Sequence, residues 1–283
     1  MRYEGTAQRE LFRQLRERFL LRNARSGRWA LDVGSGPGRF SRHVGAGGGT
    51  CVGLDLSLAM LAVGREISSP AAGPEALRVE RVRGDALQPP FSPGTFDEVA
   101  LVGNALGFEA GSGDALLRTV EGLVAEGGFL LVEAAPGPGE RARYLARLPQ
   151  GAVRRLLAAP PAAVLPRLRR EGFETQPIRH RTAAFRRWTA DELLERWRPL
   201  GWRVREAMAV APALGPDPAR LSEVARDPKA WARLLEMEEQ LGREPDRWPN
   251  AAALLVAVER PALPTHEPVP VPSGVLEARF TEA

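Results

Sequence analysis

Apolar positions recur at helical spacing near the start of the chain. Leu11, Phe12, Leu15, Phe19 and Leu20 fall on one face of a helix over residues 5–24, among Arg, Glu and Gln. The pattern then changes to short apolar runs bounded by turn residues. Trp29-Ala30-Leu31-Asp32-Val33 reads as a buried strand stopped by Gly34, followed by a short helix from Arg39 to Val44 and a loose glycine loop. Cys51 to Leu54 is a second strand, and Ser57 caps the helix after it. Leu77 to Val82 and Phe96 to Val102 make the third and fourth strands. A helix over 114–125 turns through Gly127-Gly128 into a fifth, Phe129 to Glu133.

Strand and helix thus alternate from residue 29 to 134, which predicts right-handed crossovers and a parallel sheet covered on both faces. After Pro136-Gly137-Pro138-Gly139 the rhythm breaks. Residues 140–187 read as short helical pieces rich in Arg and Ala, interrupted by Pro160-Pro161 and Pro166. The pattern returns at Thr189-Ala190-Asp191-Glu192, a capping box. A strand over 202–210, one or two helices over 218–242 and a last strand over 252–258 follow. The expected organisation is an N-terminal helix (1–27), a core (28–136 and 189–260), a helical insertion (137–188) and a Pro-rich tail (261–283).

Composition narrows the class without naming a function. A chain of 283 residues, 44% hydrophobic and 26% charged, can bury a full core. Its longest apolar run, Ala251 to Val258, is too short to span a bilayer, and Arg2, Glu4, Arg9 and Glu10 sit where a secretory signal would be apolar. A cytoplasmic protein without membrane contact is expected. One cysteine, Cys51, and three scattered histidines exclude an intrachain disulfide and argue against a structural zinc, so no metal is expected. Cys51 lies in a strand pattern and is assigned to core packing.

All but one of the 39 cationic residues are arginine, consistent with GC-rich coding, and the formal charge of +4 does not by itself argue for nucleic acid. Residues 140–205 nevertheless hold 16 arginines against six acidic residues. That excess fits a solvated helical face, or a lid that attracts an anionic substrate or RNA.

The chemistry concentrates at strand ends. Gly34, Gly36 and Gly38 follow the first strand, where glycine lets backbone N–H groups approach a ligand. A dinucleotide fingerprint would place its third glycine at the position held by Arg39. Asp55 closes the second strand, 23 positions after Asp32, where a carboxylate can accept from two ribose hydroxyls. Asp85 closes the third. Three acids at successive strand ends face one crevice. No Walker A loop and no Gly-x-Ser-x-Gly elbow occurs.

Asp32 to Phe40, Val52 to Ser57, Gly84-Asp85-Ala86, Phe91 to Asp97 and Leu123 to Gly128, taken in order, resemble the motifs of class I S-adenosylmethionine-dependent methyltransferases. The variant is the group that includes ubiquinone-biosynthesis and many small-molecule enzymes. The resemblance spans roughly residues 28–135 and 189–259. It implies a Rossmann-like, doubly wound sheet of order 3-2-1-4-5-7-6 with the seventh strand antiparallel, and a helical lid.

It further implies that Gly34, Gly36 and Gly38 pass the methionine part of S-adenosylmethionine, with Asp32 near its amino group. Asp55 would hold the ribose and Leu56 pack on adenine. Asp85 and the Ala86 N–H would meet the adenine edge, and Gly103 and Asn104 would border the methyl. Asp97 sits at the far end of its strand and is assigned a structural role. Candidate catalytic or positioning residues at loop positions facing the crevice are Asn104, Glu109 and Glu133, and Tyr144 and His180 are candidates in the lid.

The expected reaction is methyl transfer to a small molecule, in a monomer or homodimer, leaving S-adenosylhomocysteine. The alternatives are an RNA-modifying methyltransferase, which the basic insertion suggests, or a non-catalytic S-adenosylmethionine-binding partner protein. A nicotinamide dehydrogenase fits least, because of Arg39 and Asp85.

Overall fold

A computed structural model describes residues 6–24, 27–47, 49–67, 78–103, 105–108, 113–135, 173–178, 181–186, 188–210 and 218–262. The strands are β1 (Trp29–Val33), β2 (Thr50–Asp55), β3 (Arg78–Arg83), β4 (Phe96–Leu101), β5 (Val124–Ala134), β6 (Phe173–Ile178), β7 (Arg181–Arg186), β8 (Arg203–Val210) and β9 (Ala253–Glu259). Seven of them form one sheet in the order β3-β2-β1-β4-β5-β9-β8. β1 to β5 run parallel, and β9 is antiparallel to both β5 and β8. The expected order is therefore observed, with β8 and β9 as the sixth and seventh strands of the sheet.

The sheet buries both faces because its inner strands are apolar at successive positions. On one face Leu31, Val33, Leu54, Val99 and Leu130 pack with Leu116, Leu117 and Val120 of α4 (Gly113–Leu123) and with Trp197. On the other, Ala30, Cys51, Ala100, Leu131 and Leu255 pack with Leu11, Leu15 and Phe19 of α1 (Thr6–Asn23). Cys51 is fully buried there, and burial pushes its thiol pKa well above the ordinary value. The remaining helices are α2 (Leu58–Ile67), α3 (Ala105–Phe108), α5 (Ala190–Glu195), α6 (Pro218–Val224) and α7 (Pro228–Gly242). The α5 capping box forms as its sequence predicts, with Glu192 N donating to Thr189 Oγ1 at 3.0 Å.

Local structure departs from the sequence reading in three places. Residues 39–44 form consecutive turns instead of a helix. Flanking glycines with positive φ at 34, 36, 38 and 45 leave room for one helical turn, closed by Val44 N to Phe40 O at 3.0 Å. β5 starts at Val124, earlier than Phe129, and its pairing with β4 shifts register between Phe96 and Glu98. The insertion, expected to be helical, contains the antiparallel hairpin β6–β7, in which Ile178 pairs with Arg181. Phe, Thr and Ile in these two segments suit a pleated strand, a preference that counting Arg and Ala obscures.

Both ends of the insertion are fastened to the core. Trp188 N donates to Ala135 O at 2.9 Å, at the end of β5. Just beyond, Arg196 reaches α4 with Nε to Glu121 Oε1 at 2.6 Å and Nη1 to Asp114 Oδ1 at 3.1 Å. Trp197 Nε1 donates to the same Glu121 oxygen at 2.9 Å. Asp97 has the structural role assigned to it, because its Oδ2 accepts from Arg28 N at 2.7 Å and Trp29 N at 3.0 Å. It fixes the entry into β1 at the end of the sheet remote from the crevice.

Candidate functional site

Parallel strands present their carboxyl ends on one edge of the sheet, and there the chain leaves a crevice of about 1040 Å³. It is lined by Asp32, Gly34 and Gly36 after β1, by Asp55 and Leu56 after β2, by Asp85 and Ala86 after β3, and by Gly103 after β4. The structure thus brings together the three strand-end acids. Gly38, also predicted at the site, lies within the same turn at φ 83.

The glycine turn is held open by its neighbours. Gly34 N and Ser35 N both donate to Leu54 O, at 2.8 and 3.1 Å, which fastens the turn to the end of β2. Gly34 has φ 68, and a Cβ there would come within 2.9 Å of the Ala105 methyl. Any side chain at residue 34 would push α3 away.

Asp55 is oriented from two sides. Its Oδ2 accepts from Gly36 N at 2.7 Å and its Oδ1 from Ser57 N at 2.8 Å. Each carboxylate oxygen retains a lone pair for a ligand hydroxyl. Leu56 beside it is 66% exposed, and Leu58 and Met60 add to this exposed apolar shelf. Asp85 Oδ1 accepts from Leu87 N at 2.8 Å, an Asx turn that fixes the β3 exit.

Asp32 is the most perturbed acid of the group. It is 2% exposed and accepts from Ser41 Oγ at 2.6 Å. Burial pushes its pKa up to about 7, the Ser41 hydrogen bond pulls it partly back, and the Asp55 charge raises it. A buried carboxylate in this state gains most from a cationic ligand group. Three acids, a glycine turn and an exposed apolar shelf therefore fit an adenosyl amino acid that carries an ammonium group. Among the described residues no cluster of His, Cys, Asp and Glu could hold a metal ion.

The fourth wall is one that the sequence reading missed. Arg9, Glu10, Phe12, Arg13 and Arg16 of α1 also line the crevice. Their spacing of three and four residues places them on one helical stripe, a legible pattern that a solvated face explains equally well. Arg13 pairs with Glu10, and with Glu17 at 2.5 Å. Arg16 forms a two-pronged bond to Glu133, with Nε to Oε2 at 2.7 Å and Nη2 to Oε1 at 2.6 Å. Burial works against the Arg16 charge, but the Glu133 charge and hydrogen bonds outweigh it and raise its pKa.

Glu133 differs from its sequence assignment. It sits at the end of β5, as the strand pattern has it, but instead of lining the crevice it is 0% exposed and also accepts from Gly103 N at 2.9 Å. Three donors hold its two oxygens, so it is a buried anchor and no longer a candidate acid or base. Its side chain lies under α1, where the Arg16 guanidinium meets both oxygens. Asn104, Glu109, Tyr144 and His180 lie outside the described residues. The hairpin strand β7 runs against α3, which follows the β4 turn at the crevice.

Residues 30–128 match a family model described as a methyltransferase domain. No curated protein matches the chain in sequence. Among solved structures, an S-adenosylmethionine-dependent methyltransferase from Methanosarcina mazei is similar, with a TM-score of 0.56 and 13% identity, over 87% of this chain and 98% of that one. A chain from the complex of the Haloferax volcanii Trm112 methyltransferase activator gives 0.53 and 17%, over 93% and 96%. The 4+2 cyclase SpnF gives 0.52 and 16%, over 89% and 81%. At such identities these structures show a shared fold.

Proposed function

We infer that this chain, a class I S-adenosylmethionine-dependent methyltransferase by its domain match and sheet order, methylates a small molecule by in-line displacement. The observation that carries this reading is the convergence of Asp32, Asp55 and Asp85 with the glycine turn on one crevice. Its volume, about 1040 Å³, stands at the top of the range of roughly 300–1,000 Å³ usual for small-ligand pockets, which leaves room for a small acceptor beside the cofactor.

When bound, S-adenosylmethionine supplies an electrophilic methyl group on a sulfonium. What the chain supplies is alignment and exclusion of water. Asp32 accepts from the amino end, Asp55 from the ribose hydroxyls, and Asp85 with the Ala86 N–H meets the adenine edge, while Leu56 covers the ring. Gly103 and α1 flank the methyl-donor end, to which Asn104, outside the described residues, is also assigned. The acceptor enters beside the Gly103 turn, with the β6–β7 hairpin as part of a lid to which Tyr144 and His180, outside the described residues, are also assigned. With Glu133 committed to Arg16 and Gly103, a general base, if the acceptor must lose a proton, comes from Asn104-to-Glu109 or from the lid.

RNA is the second reading, favoured by the 16 arginines of residues 140–205. One titration separates the two acceptors. Binding through many phosphates makes log affinity fall with log salt by about 0.7 per contact for single strands, whereas a small acid meets only one or two charges. We expect RNA affinity to be weak, shallow in salt and indifferent to Arg169→Glu with Arg170→Glu. Submicromolar, steeply salt-dependent RNA binding that this double variant abolishes would establish RNA as the acceptor instead.

A further inference from the structure

Arg16 and Glu133 stand 117 positions apart in sequence, yet they join three separate parts of the crevice wall. Arg16 belongs to α1, Glu133 to the end of β5, and Gly103 to the turn between β4 and α3. One carboxylate oxygen, Glu133 Oε2, accepts from both Arg16 Nε (2.7 Å) and Gly103 N (2.9 Å). Arg16 and Gly103 both line the crevice, but Glu133 lies wholly beneath it. The Gly103 turn is itself constrained, with φ 72 and a Cα face backed by Phe40, whose ring a Cβ would meet at 3.6 Å. Phe40 and Phe12 line the same crevice, and the Arg16 guanidinium lies 5.9 Å from the centre of the Phe12 ring.

A buried carboxylate needs a partner that matches both its oxygens, and the planar guanidinium is the side chain that does so. Arg13 pairs with Glu10 and Glu17 inside α1 itself, so those pairs do not tie the helix to the strand ends. The Arg16 fork adds a hydrogen-bonded link from α1 to the strand ends, beside the apolar contacts that Leu11, Leu15 and Phe19 make with the sheet. We propose that Arg16 is a positioning residue: through Glu133 it locks the N-terminal helix and the Gly103 turn against each other, and so sets both walls around the methyl-donor end of the cofactor. Arg16 is linked to the Gly103 turn through Glu133 Oε2, which accepts from both. This inference rests on the methyltransferase reading above, because it concerns how the cofactor is enclosed.

The test uses S-adenosylhomocysteine as the probe, titrated by calorimetry into the full chain and into Arg16→Lys, Arg16→Gln, Glu133→Gln and the Arg16→Gln/Glu133→Gln pair, with thermal unfolding to confirm that each folds. Arg16→Gln should weaken binding about tenfold. Arg16→Lys, which keeps the charge but not the fork, should fall between it and the wild type. The double variant should bind no worse than the weaker single one, since the two residues act as a unit. Hydrogen exchange of α1 amides should show the helix slowed by the ligand in the wild type but not in Arg16→Gln. Wild-type binding with variants within twofold of it, or additive losses in the double variant, would overturn the positioning role and leave the methyltransferase reading intact. A wild-type chain that does not bind the probe would overturn both. Should Arg16→Gln not fold, Arg16→Lys decides alone, because its wild-type affinity and α1 protection would refute the fork.

Discussion

Asp55→Ala should lose at least a hundredfold in affinity for S-adenosylhomocysteine, and the loss should be larger than the loss of one contact. A charge-assisted hydrogen bond is worth about 1.5–3 kcal/mol, and under the proposed function the carboxylate accepts from two ribose hydroxyls. The same substitution also releases Gly36 N and Ser57 N from Asp55, at 2.7 and 2.8 Å, so the glycine turn and the start of α2 lose their shared anchor. Asp55→Asn keeps one acceptor oxygen and should lose less. Calorimetry of both variants at one pH, with thermal unfolding as a check on folding, measures the effect. An Asp55→Ala chain that binds within threefold of wild type would remove Asp55 from the site.

Asp32→Asn should separate stability from binding. The Asp32 pKa is pushed up to about 7 from an ordinary 3.8, chiefly by burial. A raised carboxyl pKa means that the folded state binds more protons than the unfolded state between those values. Stability of the ligand-free chain therefore falls as pH rises through this window, and the loss is complete above about 7. At about 1.4 kcal/mol per unit, it amounts to roughly 4 kcal/mol. Asparagine carries no charge and still accepts from Ser41 Oγ, so Asp32→Asn should melt several degrees higher than wild type at pH 8 and no higher at pH 4.

Binding should move the opposite way. The wild type should gain cofactor affinity as pH rises through 7 and Asp32 ionises to meet the amino group, and Asp32→Asn should be weaker and flat over that range. Equal melting temperatures at pH 8 would show that Asp32 is not strained by burial. A higher melting temperature of Asp32→Asn at pH 8 would mean that the ligand-free chain keeps an acid at this position at a stability cost, which a cationic ligand group would offset.

Much of this site was legible because its elements obey local rules. Asp32, Asp55 and Asp85 could be placed on one edge from their spacing, since apolar runs ending in an acid define strand ends and parallel strands align those ends. The antiparallel β9 followed from the resemblance and from the return of a strand–helix–strand pattern after residue 189. Two features were hidden for a physical reason. Arg16 meets Glu133 across 117 residues, and no periodicity encodes a contact between a helix stripe and a strand end. That contact, with the Gly103 N–H, is what makes Glu133 a buried anchor at the end of β5 and not an acid facing the crevice. The β6–β7 hairpin was obscured by arginine-rich composition, which says little about backbone conformation.

The central claim, that the crevice of Asp32, Asp55 and Asp85 holds S-adenosylmethionine, is most directly tested by calorimetry of the wild-type chain. S-adenosylhomocysteine and S-adenosylmethionine should both bind at one site per chain, and NAD should give no heat. Tight NAD binding with no response to S-adenosylhomocysteine would contradict the account.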